Sequence, residues 1–301
     1  MHLQTESAAH RGSMARSLAA RLSASPPPQY LAVCDDDDMA QLPRSAARTL
    51  LTATRYDALS FALRRLRVKR APAGEPTALD LRFINNYGAT VRAGPFAGLS
   101  YDPRVVGHTT AVAAKLMGAY ECELHPAVAR LLSSDMSVFV DIGCAEGYYA
   151  VGVAMRRPDV RVVAFDIDAT ARHMCRLMAR RNHVSIEIRE EATPTYLANL
   201  VPRTVIFSDC EGAEAALLDP GRSPLLRQLK IIVEVHDFVD PNVTQLLRSR
   251  FASSHTLHEV ITAPRDATAY PELAVFSESD RLLALAEGRP GPMSWLIMTP
   301  R

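Results

Sequence analysis

Val138 to Ala154 reads VFVDIGCAEGYYAVGVA, and the order of residue types in it decides the fold. β-Branched and aromatic residues run to Asp141, a turn with Gly143 and Gly147 follows, and apolar residues at helical spacing begin at once. A buried strand feeding a helix has this pattern. The junction is a ligand cradle: two glycines remove Cβ atoms where backbone approaches a bound molecule, and the helix's first N–H groups face the same spot. Asp141 stands at the strand's carboxyl end, placed to accept hydrogen bonds or meet positive charge.

A dinucleotide site asks for G-x-G-x-x-G, because pyrophosphate lies against the turn and the third glycine lets helix and strand pack closely. Here the turn is Asp141-Ile142-Gly143-Cys144-Ala145-Glu146-Gly147. Ala145 replaces the middle glycine, and Glu146 sets an acid where a phosphate would be repelled. A carboxylate there suits S-adenosylmethionine, which carries an ammonium and a sulfonium but no phosphate. On these residues the chain resembles the class I S-adenosylmethionine-dependent methyltransferases, whose first motif is an acid, a small residue and a glycine-bearing turn after the first strand. The resemblance implies cofactor contacts from Asp141, Gly143, Cys144, Glu146, Gly147 and Tyr148, with Tyr149 facing the acceptor.

The 301 residues, 48% of them hydrophobic, bury one large core or a core with a small appendage. A net charge of +1 supplies no global field for nucleic acid or membrane. Only three of the 34 basic residues are lysine, an imbalance that reflects base composition rather than function. Five cysteines, odd in number and without a C-x-x-C pair, argue for free thiols in a reducing cytoplasm and against a disulfide scaffold or zinc site. No apolar run approaches membrane-spanning length.

Three parts are expected. Residues 1–38 are polar, contain Pro26-Pro27-Pro28 and end in four acids, and are expected to carry little fixed structure or to be foreign to the natural chain. Residues 39–134 form a cap: amphipathic helix over Ser45 to Arg70, then a β-hairpin of Leu79 to Ile84 and Ala89 to Ala93 around Asn85-Asn86-Tyr87-Gly88, then helix from Thr109 to Ser133 broken near Pro126. This cap covers one side of the cofactor crevice, with Tyr120 near it, and offers an acceptor pocket or a homodimer surface. Residues 135–301 alternate strands (Val138 to Ile142, Arg161 to Phe165, Ser185 to Ile188, Thr204 to Ser208, Lys230 to Val235) with helices, which builds a parallel sheet covered on both faces. Late strands at Thr256 to Ile261 and Met293 to Met298 resemble the hairpin, with its antiparallel seventh strand, that sets methyltransferases apart from plain dinucleotide folds. The expected fold is α/β, a doubly wound, mostly parallel seven-stranded Rossmann-like sheet with an N-terminal helical and hairpin cap.

The chemistry is expected at the strand exits. Asp166 ends the second strand, roughly 20 residues past the turn, where a carboxylate takes both ribose hydroxyls; Ile167 adjoins it and Asp168 caps the next helix. The resemblance places Glu191 and Ala192 at the adenine. After the fourth strand, Asp209-Cys210-Glu211-Gly212-Ala213-Glu214 resembles the FkbM-type methyltransferases, mostly small-molecule O-methylating enzymes, with Asp209 toward the methionine end and Glu211 toward the acceptor. Glu234 and His236 share one strand face, and His236 is the expected general base because imidazole titrates near neutrality. Asp209, Glu211, Glu234 and His236 also make an oxygen-rich metal set, ranked below the base reading, so no metal is expected. Arg289 is placed to clamp an acidic substrate.

The expected function is S-adenosylmethionine-dependent O-methylation of a small-molecule or natural-product acceptor, without nucleic acid or membrane as partner. An NAD-dependent oxidoreductase shares the sheet and Asp166, but the glycine pattern opposes it. An RNA methyltransferase could use the arginine-rich helix, yet the Asn/Asp-Pro-Pro-aromatic segment that holds a flipped base is absent after the fourth strand.

Overall fold

The computed structural model describes residues 76–263, 265–287 and 293–301, which all belong to one compact unit, Lys69–Arg301. The expectations for residues 1–38, for the helix over Ser45 to Arg70 and for Arg289 lie outside the described residues.

The expected hairpin is replaced by a helix, α1 (Ala78–Tyr87). Thr77 caps it through the Asp80 amide, and the Asp80 side chain returns to the Thr77 backbone, a reciprocal capping box. The Asn-Asn-Tyr-Gly signal marks its end instead of a strand reversal: Gly88, at φ 82, closes the helix by donating to the Ile84 carbonyl. Ala89 to Val91 does pair antiparallel, but forward with Leu99 to Tyr101 across the Gly94–Gly98 turn.

Short helices α2 (Pro103–Val106), α3 (Val112–Met117) and α4 (His125–Leu132) complete the segment before the sheet. Then follow β1 (Val138–Ile142), α5 (Tyr148–Arg156), β2 (Arg161–Phe165), α6 (Ala169–Arg181), β3 (Glu187–Arg189), α7 (Pro194–Ala198), β4 (Thr204–Ser208), α8 (Glu214–Leu217), β5 (Lys230–Val235) and α9 (Val243–Phe251). The chain ends with β6 (His255–Ile261), α10 (Glu278–Leu285) and β7 (Ser294–Pro300). Of these, β1, β2, β4, β5 and α6 coincide with the ranges read from sequence; β3 starts two residues later, because its one neighbour pairs only from Val163 onward.

The sheet order is β3-β2-β1-β4-β5-β7-β6. Strands β1 to β5 pair parallel, while β7 runs antiparallel between β5 and β6. This is the doubly wound sheet with the reversed seventh strand. Winding changes direction at β1, flanked by β2 and β4, so the crevice at the strand carboxyl ends opens beside the glycine turn.

Alternation along each strand sorts the two faces. Phe139, Val162, Val205, Phe207, Ile232 and Trp295 join one apolar cluster with Phe83, Leu99, Leu116, Val151 and Met178, so the segment before the sheet shares its core with α5 and α6. Val140, Val163, Ile206, Ile231 and Val233 point the other way, onto Leu197, Leu217, Leu247 and Phe251. Residues two apart share a face. Asp141 follows Phe139, Asp209 follows Phe207, and Glu234 with His236 follow Ile232, so all four project from the first face at one edge.

Candidate active site

The glycine turn is packed between the neighbouring strand exits. The Gly143 and Cys144 amides both donate to the Phe165 carbonyl of β2, and the Asp209 amide past β4 donates to the Ile142 carbonyl. Gly143 has φ 87, and a Cβ there would lie 1.7 Å from the Asp209 carbonyl oxygen; at Gly147, φ 93, it would lie 2.7 Å from the Cys175 thiol. The physical reason for both glycines differs from the one expected: what approaches them is the protein itself, β4's exit loop at one and α6 at the other.

Asp166 lies against this turn. One carboxylate oxygen accepts from the Ala145 amide at 2.9 Å and the other from the Asp168 amide at 2.9 Å. Asp168 caps α6 by accepting from the Thr170 amide, as expected. Ile167 is half-buried, and its carbonyl and that of Asp166 accept from the Arg172 guanidinium, which braces the β2 exit. Ala192 is buried and Glu191 half-buried at the exit of β3.

Glu146 is not left facing a ligand. It is buried and takes the Lys115 ammonium at 2.5 Å and the Tyr101 hydroxyl at 3.1 Å. Burial pushes its carboxyl upward, yet Lys115 outweighs that and holds it below the usual glutamate range. The Lys115 ammonium also sits 4.8 Å from the Tyr120 ring centre and 5.9 Å from that of Tyr148. Tyr148 and Tyr120 meet edge to face at 5.5 Å, and Tyr149 stacks on Phe207 at 3.9 Å with its hydroxyl donating to Glu121. Lys115 and Tyr101, both well before the cradle in the chain, escaped the sequence reading because nothing in linear spacing ties them to Glu146.

Asp141 is 2% exposed, and its Oδ2 has no hydrogen-bond partner. Burial first, then the nearby Asp209 charge, pushes this carboxyl well above the usual aspartate range. An unpaired, buried carboxylate oxygen at the mouth of the first strand is a place for a ligand's donor group.

The exits of β4 and β5 bring a second group of acids together. Asp209, Glu234 and His236 each bring one ligand-type atom within 4.8 Å of the others. The His236 Nε2 lies 3.4 Å from Asp209 Oδ1 and 3.7 Å from Glu234 Oε2, while Nδ1 meets Glu214 Oε1 at 2.6 Å. Glu214 is fully buried and also accepts from the Gly212 amide at 2.8 Å. It is the last acid of the Asp-x-Glu-Gly-x-Glu motif, and the pattern that singled out Asp209 and Glu211 contained it. Glu211 itself is exposed, with a left-handed backbone at φ 47, and is not a member of this cluster.

Burial alone lowers the His236 pKa, but the adjacent Asp209 and Glu214 carboxylates reverse this and lift it to about 10. Three carboxylates, Asp209, Glu214 and Glu234, surround the ring of the expected base, and their charge favours its protonated form.

No helix among the described residues is long and apolar enough to cross a membrane. Residues 127–198 match the family model of the methyltransferase small domain. No curated protein matches the sequence. Among solved structures, precorrin 8w decarboxylase from Methanobacterium thermoautotrophicum is 18% identical, covering 60% of this chain and 90% of that one at a TM-score of 0.39. Precorrin-6Y C5,15-methyltransferase from Geobacter metallireducens is 15% identical over 58% and 87%, at 0.39. An rRNA methylase from Streptococcus thermophilus is 11% identical over 60% and 97%, at 0.39. The segment that matches the family model runs from α4 through β1, the glycine turn, α5, β2, α6 and β3 to α7, and so holds three of the seven strands and the cradle between the first two.

Proposed function

We propose that this protein transfers the methyl group of S-adenosylmethionine to an oxygen of a small-molecule acceptor. One observation carries the reading: a single sheet edge brings together the glycine turn with Asp166 at the exits of β1 and β2 and a rim of Asp209, Glu234 and His236 at the exits of β4 and β5, which supports an adenosyl cradle beside an acceptor site.

The residues divide the work. Asp166, braced by two backbone amides, is placed for ribose hydroxyls, and Asp141 for the ammonium. Cys144, Gly147, Tyr148, Ile167, Glu191 and Ala192 are proposed to line the adenosyl side, and Tyr120 and Tyr149 the acceptor side. When bound, the cofactor supplies an electrophilic methyl on a sulfonium. Transfer of that methyl to a hydroxyl is a direct displacement, in which the protein aligns the reacting atoms and receives the hydroxyl proton. The Asp209 or Glu234 carboxylate accepts that proton. The NAD reading is opposed by Ala145 at φ 49 and by the buried Glu146, where pyrophosphate would need bare backbone.

Calorimetry with S-adenosylhomocysteine and with NAD tests the proposal. Binding of the former with no heat from NAD is the expected result; NAD binding without the sulfur ligand rejects it.

A further inference from the structure

We infer that Asp209, Glu234 and His236 form a binding site for one divalent metal ion, which holds the acceptor's oxygen. Two atoms that ligate one ion at about 2.1 Å stand about 3–4 Å apart. The imidazole Nε2 is 3.4 Å from Asp209 Oδ1 and 3.7 Å from Glu234 Oε2. Both separations exceed the ~2.7–2.9 Å of a direct charge-assisted hydrogen bond and match shared ligation.

A second observation is independent of this spacing. Glu214 fixes the ring from behind, 2.6 Å from Nδ1, and turns Nε2 toward the two carboxylates. A metal-bound histidine is commonly held by such a carboxylate on its other nitrogen. Glu214 is fully buried and its Oε2 has no hydrogen-bond partner, an unsatisfied carboxylate oxygen beside the ring that a nearby cation offsets.

Two carboxylate oxygens with one imidazole suit an ion of the Mn2+ kind, which takes both donor types; Ca2+ asks for six to eight oxygens. Three protein ligands leave positions open on the side where the Asp209 side chain is 34% exposed. An acceptor oxygen enters there, beside Phe238, which is 58% exposed with its ring edge-on to His236 at 5.6 Å. The ion takes the neutral Nε2 and one oxygen of each carboxylate, so the hydroxyl proton goes to the other oxygen of Asp209 or Glu234. The acceptor-holding role rests on the methyltransferase reading; the binding of the ion does not.

The test is a titration of the full chain, stripped with EDTA, with Mn2+ followed by the electron paramagnetic resonance signal of the free ion. One equivalent is expected to disappear from the signal. Glu234→Gln and His236→Gln should each weaken binding about 100-fold or more, with thermal melting checking that they fold. Undiminished signal with the parent protein overturns the site, and so do folded variants that bind Mn2+ as the parent does; the parent titration decides if the variants fail to fold. Calorimetry with S-adenosylhomocysteine on the stripped protein separates the two ideas: its binding without any Mn2+ uptake sinks only the metal, and Mn2+ uptake without its binding sinks only the methyltransferase reading.

Discussion

Lys115 is the residue on which the cradle's electrostatics turn. Its side chain is 5% exposed and that of Glu146 3%, so neither charge has water to fall back on. Lys115→Met leaves a buried carboxylate uncompensated and should cost about 3–5 kcal/mol in denaturant unfolding, whereas Lys115→Met combined with Glu146→Gln should recover most of it. The pH dependence has a fixed sign. Glu146 titrates below its ordinary value of 4.5 in the folded chain, so its contribution is complete above that value and lost as pH falls through the lower folded one. Unfolding curves of the parent and of the double variant should therefore converge in acid. Past the exit of β5, Phe238 is exposed and contributes little to the core; Phe238→Ala should leave the melting temperature within about 1–2 °C while, on the proposed methyl transfer, raising KM for the acceptor several-fold. An unchanged KM removes Phe238 from the acceptor site.

At the scale of elements, α1 shows two local signals in competition. Asn-Asn-Tyr-Gly reads as a reversal, but Thr77-x-x-Asp80 is a capping box, and Phe83 on the helix face finds a fully buried seat against Phe276 and Tyr87. Burial of that ring settles the contest. Phe83→Ala should cost about 3–5 kcal/mol, and Thr77→Ala about 1 kcal/mol, in equilibrium unfolding; a negligible effect of the first would mean that α1 is not anchored by its ring. Gly143→Ala belongs to this scale too, because it touches the join between β1 and β4. The added methyl meets the Asp209 carbonyl at 1.7 Å in a left-handed backbone. Strain of about 1–3 kcal/mol from the backbone alone, plus displacement of the Asp209 loop, should lower both melting temperature and cofactor affinity.

For the molecule as a whole, a ligand that binds only the folded state stabilises it by mass action, about 2.7 kcal/mol at one hundred times its Kd. S-Adenosylhomocysteine at that excess should raise the melting temperature by several degrees, and NAD at equal concentration should not. The strands and helices that place this site were legible in the chain because periodicity is local: β1, β2, β4, β5 and α6 follow from alternation and helical spacing within their own residues, and the Asp168 cap from its neighbours. The acids at the strand exits were legible for the same reason, since a strand's end and its face are counted along the backbone. Only the tertiary structure decided what those acids do. Lys115 is 31 residues from Glu146, and Glu214 is 22 from His236; no linear spacing announces either pair. Winding of the sheet brings them together, and burial then sets the outcome, turning Glu146 into a structural ion pair and fixing the His236 ring against the buried Glu214 carboxylate.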